Sequence, residues 1–316
     1  VENIEMKLIT ILIPVYFNEG SIHPTYKILK EKIFSYYNKL KFEVIFIEDG
    51  SKDNSYNEIL GLKTLYPADD IKIIQFTRNF GQMAGFYAGL NNSSGDGILT
   101  IAADLQEPPE LLRNLIDAFV KNEAPIIVGQ RVGRDDGFFA NLYSKLFYGF
   151  MKKSAFPDMP VGGFDIALIN KDVKAMLLSL EDTKPWIQGQ LFWSGYAMKF
   201  IPYERLKREI GTSKWSMSKK INHTLDAIIN YTYMPLRFFS VVGIIAFILG
   251  MVYALLLVIN YFRGNAPFNG WTPIMMLILL FGGLQLIMLG FIGEYMWRNI
   301  EQTKKKPMYV VKQVIK

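Results

Sequence analysis

The sequence predicts an α/β fold: a mostly parallel sheet covered by helices on both faces, followed by an interfacial helix and two C-terminal transmembrane helices. Three observations carry this expectation. Short apolar runs rich in Ile and Val recur at residues 8–15, 42–47, 71–76, 97–102 and 126–129, each followed by turn residues and a helical pattern. Continuous apolar strands alternating with helices indicate strands buried on both faces. Second, residues 238–262 and 272–293 contain no charged side chain, and each run exceeds the roughly 20 residues that cross a bilayer. Third, the basic residues flank this pair of runs on its outer sides, while the connecting loop 263–271 carries one charge, Arg263.

The strands come first because they locate the chemistry: in parallel sheets ligands bind beyond the carboxyl ends of the strands. Residues 1–215 form the expected sheet domain. Residues 216–237 follow as an amphipathic juxtamembrane segment, in which Ile221, Leu225, Ile228 and Ile229 recur at helical spacing while Lys219, Lys220, Asp226 and Asn230 lie elsewhere on the wheel. Such a helix suits the membrane interface, and packing on the domain explains it equally well. Residues 238–294 form a transmembrane hairpin and residues 295–316 a basic tail. Lys214, Lys219, Lys220 and Arg237 precede the hairpin, and Arg298, Lys304, Lys305 and Lys306 follow it. The positive-inside rule places both flanks, and the sheet domain, in the cytoplasm, making this a multi-pass inner-membrane protein. Trp271 and Trp297 fall at the ends of the second span, where interfacial aromatics belong.

Composition excludes several classes of chemistry. The 316 residues include no cysteine and two histidines, His23 and His223, so disulfides, thiolate metal sites and His-rich metal sites are excluded. The opening residues lack the charged-then-apolar pattern of a signal peptide. The net charge of +6 fits anionic lipid or a phosphorylated substrate. No nucleic-acid-binding motif accompanies that charge, and no nucleic-acid partner is expected.

Polar clusters stand at the strand ends. The first strand runs into Pro14-Val15-Tyr16-Phe17-Asn18-Glu19, the second into Glu48-Asp49-Gly50-Ser51-Lys52-Asp53. An acidic pair before Gly-Ser can accept hydrogen bonds from a base and a ribose; taken alone it reads better as a plain turn with a helix cap at Ser51 or Asp53. The fourth strand runs into Asp104-Leu105-Gln106-Glu107-Pro108-Pro109-Glu110. Asp104 and Gln106, two residues apart on an extended segment, point the same way. They can offer oxygen ligands to a hard divalent cation, Mg2+ or Mn2+, with diphosphate oxygens completing its shell; a strand-to-helix cap is the plainer alternative. Arg131 and Arg134 follow the fifth strand, and their guanidinium forks suit a phosphate.

This ordered set, with Arg78-Asn79-Phe80-Gly81 between the second and third clusters, resembles the family 2 glycosyltransferases of GT-A fold, in their dolichyl-phosphate mannose synthase-like branch. Including the terminal hairpin, the chain resembles along nearly its whole length the bacterial polyisoprenyl-phosphate glycosyltransferases of the GtrB and ArnC type. The resemblance implies inverting transfer of a hexose-type sugar from a nucleotide-sugar, a UDP-sugar by analogy, to polyisoprenyl (undecaprenyl) phosphate at the cytoplasmic membrane face. The product would serve cell-envelope glycan or lipid modification. It implies donor contacts from Pro14, Tyr16, Glu19, Asp49, Ser51, Arg78, Asp104 and Lys214, the last within a mobile loop that includes Arg205, Arg208 and residues 211–215. It further implies acceptor-phosphate contacts from Arg131 and Arg134, metal ligation by Asp104 and Gln106, catalysis by Asp165 together with Asp104, and a homo-oligomer. Asp165 closes Val161-Gly162-Gly163-Phe164-Asp165, which matches the family's acceptor-side motif; a glycine turn with a capping Asp is the alternative. Trp186 and residues 188–193 are expected either to line the sugar pocket or to fill the core.

One departure from the family pattern matters, and a second is a mild change. The first Asp of the frequent Asp-x-Asp pair is Ala102 here, and Glu48 stands where Asp is common. A processive polysaccharide synthase is a second reading, but the chain lacks the Gln-x-x-Arg-Trp motif and the additional membrane helices of such enzymes. A non-catalytic scaffold with a decayed site is a third, suggested by Ala102 and opposed by the joint presence of Asp49, Asp104, Gln106, Arg131 and Asp165.

Overall fold

A computed structural model describes residues 6–104, 106–132, 138–160, 163–164, 166–180, 182, 184–206, 217–263 and 272–316. Asp165, Arg134, Lys214, Arg208 and Trp271 lie outside the described residues. The chain divides into two units, residues 1–224 with 306–316, and residues 225–305.

The first unit is built on an eight-stranded sheet. Its strands are β1 (Leu8–Val15), β2 (Lys41–Glu48), β3 (Asp70–Phe76), β4 (Gly97–Thr100), β5 (Ile126–Arg131), β6 (Ile166–Asn170), β7 (Met198–Tyr203) and β8 (Val311–Ile315), in the spatial order β7-β5-β6-β4-β1-β2-β3-β8. Only β6 and β8 run against the rest: β4 and β5 each pair antiparallel with β6, and β3 with β8. The sheet is therefore mostly parallel, as expected from the sequence. The alternation along β1 shows why it must be covered twice. Ile9, Ile11, Ile13 and Val15 are fully buried on one face, and Leu12 is fully buried on the other. The first face packs under α1 (Ile22–Ile28), α2 (Ser55–Leu65) and α4 (Pro109–Val120), through residues such as Tyr26, Ile59 and Leu112. The second packs under α3 (Gln82–Asn92), α6 (Lys171–Ser179) and α7 (Ile187–Trp193), through Ala88, Leu177 and Leu191. A further helix, α5 (Phe138–Ser154), precedes β6.

At the amino ends of the strands, Glu43 is fully buried yet fully partnered. It pairs with Lys72, accepts from the Thr10 hydroxyl, and accepts from Ser94 N at 2.8 Å. Burial raises its pKa, and the bonds from Lys72, Ser94 and Thr10 more than reverse that, holding the carboxyl below its usual range.

The strand β8 differs from the basic tail read for residues 295–316. The helix preceding it extends to Thr303, and residues 311–315 form an edge strand whose partner is β3. Its Val-Lys-Gln-Val-Ile sequence has no strict apolar-polar alternation and is legible as a strand only once β3 is seen to have a free edge.

The second unit contains the end of α8 (Met217–Tyr231), then α9 (Met234–Phe262) and α10 (Thr272–Thr303). Both α9 and α10 are long and apolar enough to cross a membrane, and large hydrophobic side chains such as Phe247, Leu249, Leu280 and Leu286 are exposed along them. Near their polar ends, Arg298 of α10 donates to Asp226 Oδ1 (2.6 Å) and Asn230 Oδ1 (2.9 Å), one turn apart on α8, and to Glu294 Oε1 (3.1 Å). Polar residues of α8 therefore hold α10.

Candidate active site

All the parallel strands deliver their carboxyl ends to one edge of the sheet, and the polar clusters assemble there in sheet order. The segment after β1 carries Tyr16 to Glu19, and its backbone is fixed largely by side chains that follow β2. Phe17 N donates to Ser51 Oγ (3.2 Å), Asn18 N to Ser55 Oγ (2.9 Å) and Glu19 N to Asp53 Oδ2 (3.3 Å). Asn54 N returns a bond to Glu19 Oε2 at 3.2 Å. Phe17 is held at φ 55°, a left-handed conformation that a phenylalanine adopts only when its surroundings dictate it. Ser51 and Glu19 thus serve the loop framework in this structure.

Asp49 lies at the centre of this framework. It is buried, and its Oδ1 accepts from Phe80 N (2.6 Å) while Oδ2 accepts from Gly81 N (2.9 Å) and Asn79 Nδ2 (2.9 Å). Burial raises the Asp49 pKa, the two backbone donors oppose the rise, and the neighbouring Glu48 adds to it. The residue expected to contact a nucleotide therefore gathers residues 79–81, the loop after β3, against the end of β2. Two glycines permit the approach. A Cβ on Gly50 would stand 2.4 Å from the Arg78 carbonyl carbon, and Gly81 takes φ 96° at the start of α3. Arg78, in the same loop, lies over the Phe80 ring with 4.0 Å between guanidinium carbon and ring centroid. Asn79 and Phe80 carry roles that their place in the motif does not reveal.

Asp104 and Gln106 follow β4. The Thr25 hydroxyl donates to Ala103 O (2.7 Å), and Leu206 N donates to Gln106 O (2.9 Å), so this loop is held from both sides. Among the described residues no group of three or more His, Asp or Glu side chains surrounds a common point. One carboxylate and one amide are oxygen donors in a number that fits a hard divalent cation completed by a substrate's phosphates.

Beyond β4 the sheet changes direction at β6. Because β6 is antiparallel to β4, with Leu99 opposite Leu168, its first residue Ile166 lies at this same edge. So does Arg131 at the end of β5, opposite Tyr203. Gly163, at φ 65°, has Tyr148 against it; a Cβ there would sit 2.4 Å from the Tyr148 hydroxyl oxygen. Gln188 joins the two, accepting from the Tyr148 hydroxyl (3.3 Å) and donating to the Phe164 carbonyl. Gln190, itself buried, accepts from the Tyr87 hydroxyl (2.8 Å) and donates to Asp182 Oδ2 (2.8 Å). Trp186 belongs to the core, packed against Phe147 and Phe156 at ring distances of 5.8 and 6.2 Å. Of the two roles open to this segment, Trp186 fills the core while Gln188 supports the turn before Asp165.

The family model described as Glycosyl transferase family 2 matches residues 10–176, from β1 into α6. The chain belongs to glycosyl transferase family 2. The match spans the sheet's carboxyl edge from Pro14 to Phe164, so the loops described above are those of a glycosyltransferase. This family 2 glycosyltransferase is 30% identical to the bactoprenol glucosyl transferase of Shigella phage SfV, over 96% of this chain and 98% of that one. It is 29% identical to the prophage bactoprenol glucosyl transferase homolog of Escherichia coli (strain K12), over 98% and 99%. Among solved structures it is similar to the mannosyltransferase PcManGT from Pyrobaculum calidifontis, in complex with GDP-Man and Mn2+, at 14% identity and TM-score 0.49, over 71% of this chain and 63% of that one.

Proposed function

We propose that this glycosyltransferase moves a hexose-type sugar from a nucleotide-sugar, a UDP-sugar by analogy, to polyisoprenyl phosphate at the cytoplasmic face of the membrane. The observation that carries the reading is the match to the bactoprenol glucosyl transferases over nearly the whole chain, both apolar helices included. A soluble acceptor would require no such helices. The connectivity supports a single side for the chemistry: the sheet unit contains residues on both sides of the helix pair, so two crossings return the chain to the side it left. The basic flanks support the cytoplasm as that side.

The division of the sheet edge suggests a division of labour. The loops after β1, β2 and β3 would take the donor; Tyr16, Asp49 with its loop, and Arg78 are there. The segment after β5 and the turn before β6 would take the acceptor, with Arg131 on its phosphate and Asp165 beside the reacting centre. Arg134 and Lys214 would add charge on the acceptor and donor sides. Asp104 and Gln106, after β4, stand between the two halves. They would hold a Mg2+ or Mn2+ ion, which when bound neutralises charge on the donor's diphosphate.

The reaction is a single displacement with inversion. A phosphate oxygen of the lipid forms a bond to the anomeric carbon as the bond from that carbon to the diphosphate breaks, and the nucleoside diphosphate leaves with the electron pair. A phosphate monoester has its second pKa near ~6, so the nucleophile is largely dianionic at pH 7. Asp165 then orients the acceptor or takes its last proton, while arginines offset the repulsion between two phosphorylated substrates. Purified protein in detergent, given labelled UDP-sugars with or without undecaprenyl phosphate, is expected to make labelled lipid. Release of free sugar at the same rate without lipid would refute the acceptor assignment. Light scattering on the same preparation tests the implied homo-oligomer.

A further inference from the structure

We propose that Tyr309, just ahead of β8, is a positioning residue for the donor loop formed by residues 78–81. The proposal rests on the functional reading above only in taking that loop as part of the donor site. Tyr309 and β8 lie outside the span of the family model, and they reach the loop through a continuous set of contacts.

The Tyr309 ring stacks on Phe76, the last residue of β3, at 5.1 Å between centroids and 18° between planes. Phe76 meets the edge of Phe80 at 5.7 Å and 88°, and Phe80 carries the Arg78 guanidinium on its other contact, at 4.0 Å. Four side chains therefore run in series from the C-terminal segment to the one cation of the loop. The backbone follows the same route. Thr77 N donates to Val310 O at 3.1 Å, one residue before Arg78. The far end of the series is anchored as well: the Tyr309 hydroxyl accepts from Asn91 Nδ2 (3.0 Å), near the end of α3. The β3–β8 register shifts between Gln75 and Phe76, so the ladder is interrupted where the aromatic stack begins. Such irregularities re-aim side chains beside functional sites.

The physical consequence follows from the rest of the loop. Asp49 holds Phe80 N and Gly81 N from one side. Nothing in that contact fixes the Phe80 ring, on which Arg78 lies. Tyr309, acting through Phe76, supplies that constraint. An ordered loop loses less conformational freedom when a nucleotide binds, so the stack should act on donor affinity and leave the chemical step untouched.

The test uses the full chain in detergent. Binding of UDP and GDP is measured by calorimetry, with donor KM, kcat and Tm measured alongside, for wild type, Tyr309→Ala and Tyr309→Phe. Aromatic pairs of this kind correspond to about 2–10-fold in an equilibrium constant. Tyr309→Ala should therefore weaken nucleoside diphosphate binding and raise donor KM by about 3–10-fold at a temperature well below its Tm, with kcat and lipid-phosphate KM unchanged. Tyr309→Phe keeps the stack and should restore donor KM even where loss of the Asn91 bond lowers Tm. If Tyr309→Ala lowers Tm but binds nucleotide as wild type does, the residue is merely structural and the proposal is overturned. It is equally overturned if Phe fails to rescue, or if kcat falls in place of affinity. Should wild type itself bind no nucleoside diphosphate, the donor-site reading fails first and the proposal falls with it. Should Tyr309→Ala not fold, Phe76→Leu, which removes the same stack from the other side, must raise donor KM in its place or the proposal is overturned.

Discussion

Replacing Asp49 with alanine removes the acceptor for three donors at once: Phe80 N, Gly81 N and Asn79 Nδ2. Hydrogen bonds to a charged group contribute about 1.5–3 kcal/mol each, and their plain sum would be large. Two effects reduce it. Burial already penalises the Asp49 carboxylate and Glu48 adds repulsion, so part of the gain is offset by the cost of keeping that charge in place. The freed loop can also open far enough to hydrate its N–H groups. A net loss of about 3 kcal/mol is expected, or roughly 6–12 °C in Tm for a domain of this size. Asp49→Asn should lose less, about 1–2 kcal/mol, because its one carbonyl oxygen can still accept while its amide cannot. The assay is thermal unfolding of the full chain in detergent, paired with UDP-binding calorimetry. If Asp49→Ala melts with wild type and loses only nucleotide binding, Asp49 is a direct ligand and the loop-gathering argument is wrong.

Glu43→Gln should cost about 2–3 kcal/mol at pH 7, because it leaves the Lys72 ammonium without its carboxylate. The native Glu43 pKa is depressed, so its stabilisation is present above the unfolded carboxylate pKa near ~4.3 and is lost as pH falls through the native value; Tm curves of variant and wild type should converge below about pH 4, and parallel curves would contradict this. Chelation should abolish transfer, and Mg2+ or Mn2+ should restore it, while Asp104→Ala should lose more than the ~10–100-fold that disturbing a ligand's outer partners costs; full activity of that variant in chelator would remove the metal from the reaction. Arg131→Ala should weaken lipid-phosphate use at least tenfold, and Asp165→Asn should slow turnover, with both still binding nucleoside diphosphate; lost nucleotide binding in either would move that residue to the donor side. Replacing residues 225–305 with a flexible linker that retains β8 should yield a folded sheet unit needing no detergent, whereas ending the chain at residue 224 should give a less stable one, since the edge of β3 is uncovered; equal Tm values for the two would show that β8 contributes nothing.

The sequence is most legible where burial is two-sided. The apolar runs at residues 8–15, 42–47 and 71–76 form β1, β2 and β3 to within a residue, because a strand covered on both faces admits little else. Strands β6 and β7 are less legible: β6 is apolar on both faces but very short. The first is a five-residue segment directly before a helix, and the second, carrying Lys199 and Pro202, is only partly buried at the sheet's edge. The candidate site is legible as a set of strand-end clusters, not as a set of partners. That Asp49 accepts from residues 79–81 depends on β2 and β3 being neighbours, and no local pattern states which strands pair. The segment from Trp186 to Trp193 is ambiguous in sequence because an aromatic beside a glutamine suits a sugar pocket and a core alike; packing places Trp186 in the core and gives Gln188 a polar task.

The position of β8 also sets an order of manufacture. Gln75 and Gln313 are partners across the β3–β8 edge, yet they are 238 residues apart in the chain. Synthesis at ~5–20 residues per second separates their emergence by roughly 12–48 s. During that interval β4 to β7 are made and can join β1, β2 and β3, but the outer edge of β3 stays open, a template for any unpaired strand nearby. The apolar hairpin is made within the same interval. A chain that stalls there, or is cut before residue 311, leaves the ribosome with the family's motif loops complete and the edge of its sheet unfinished.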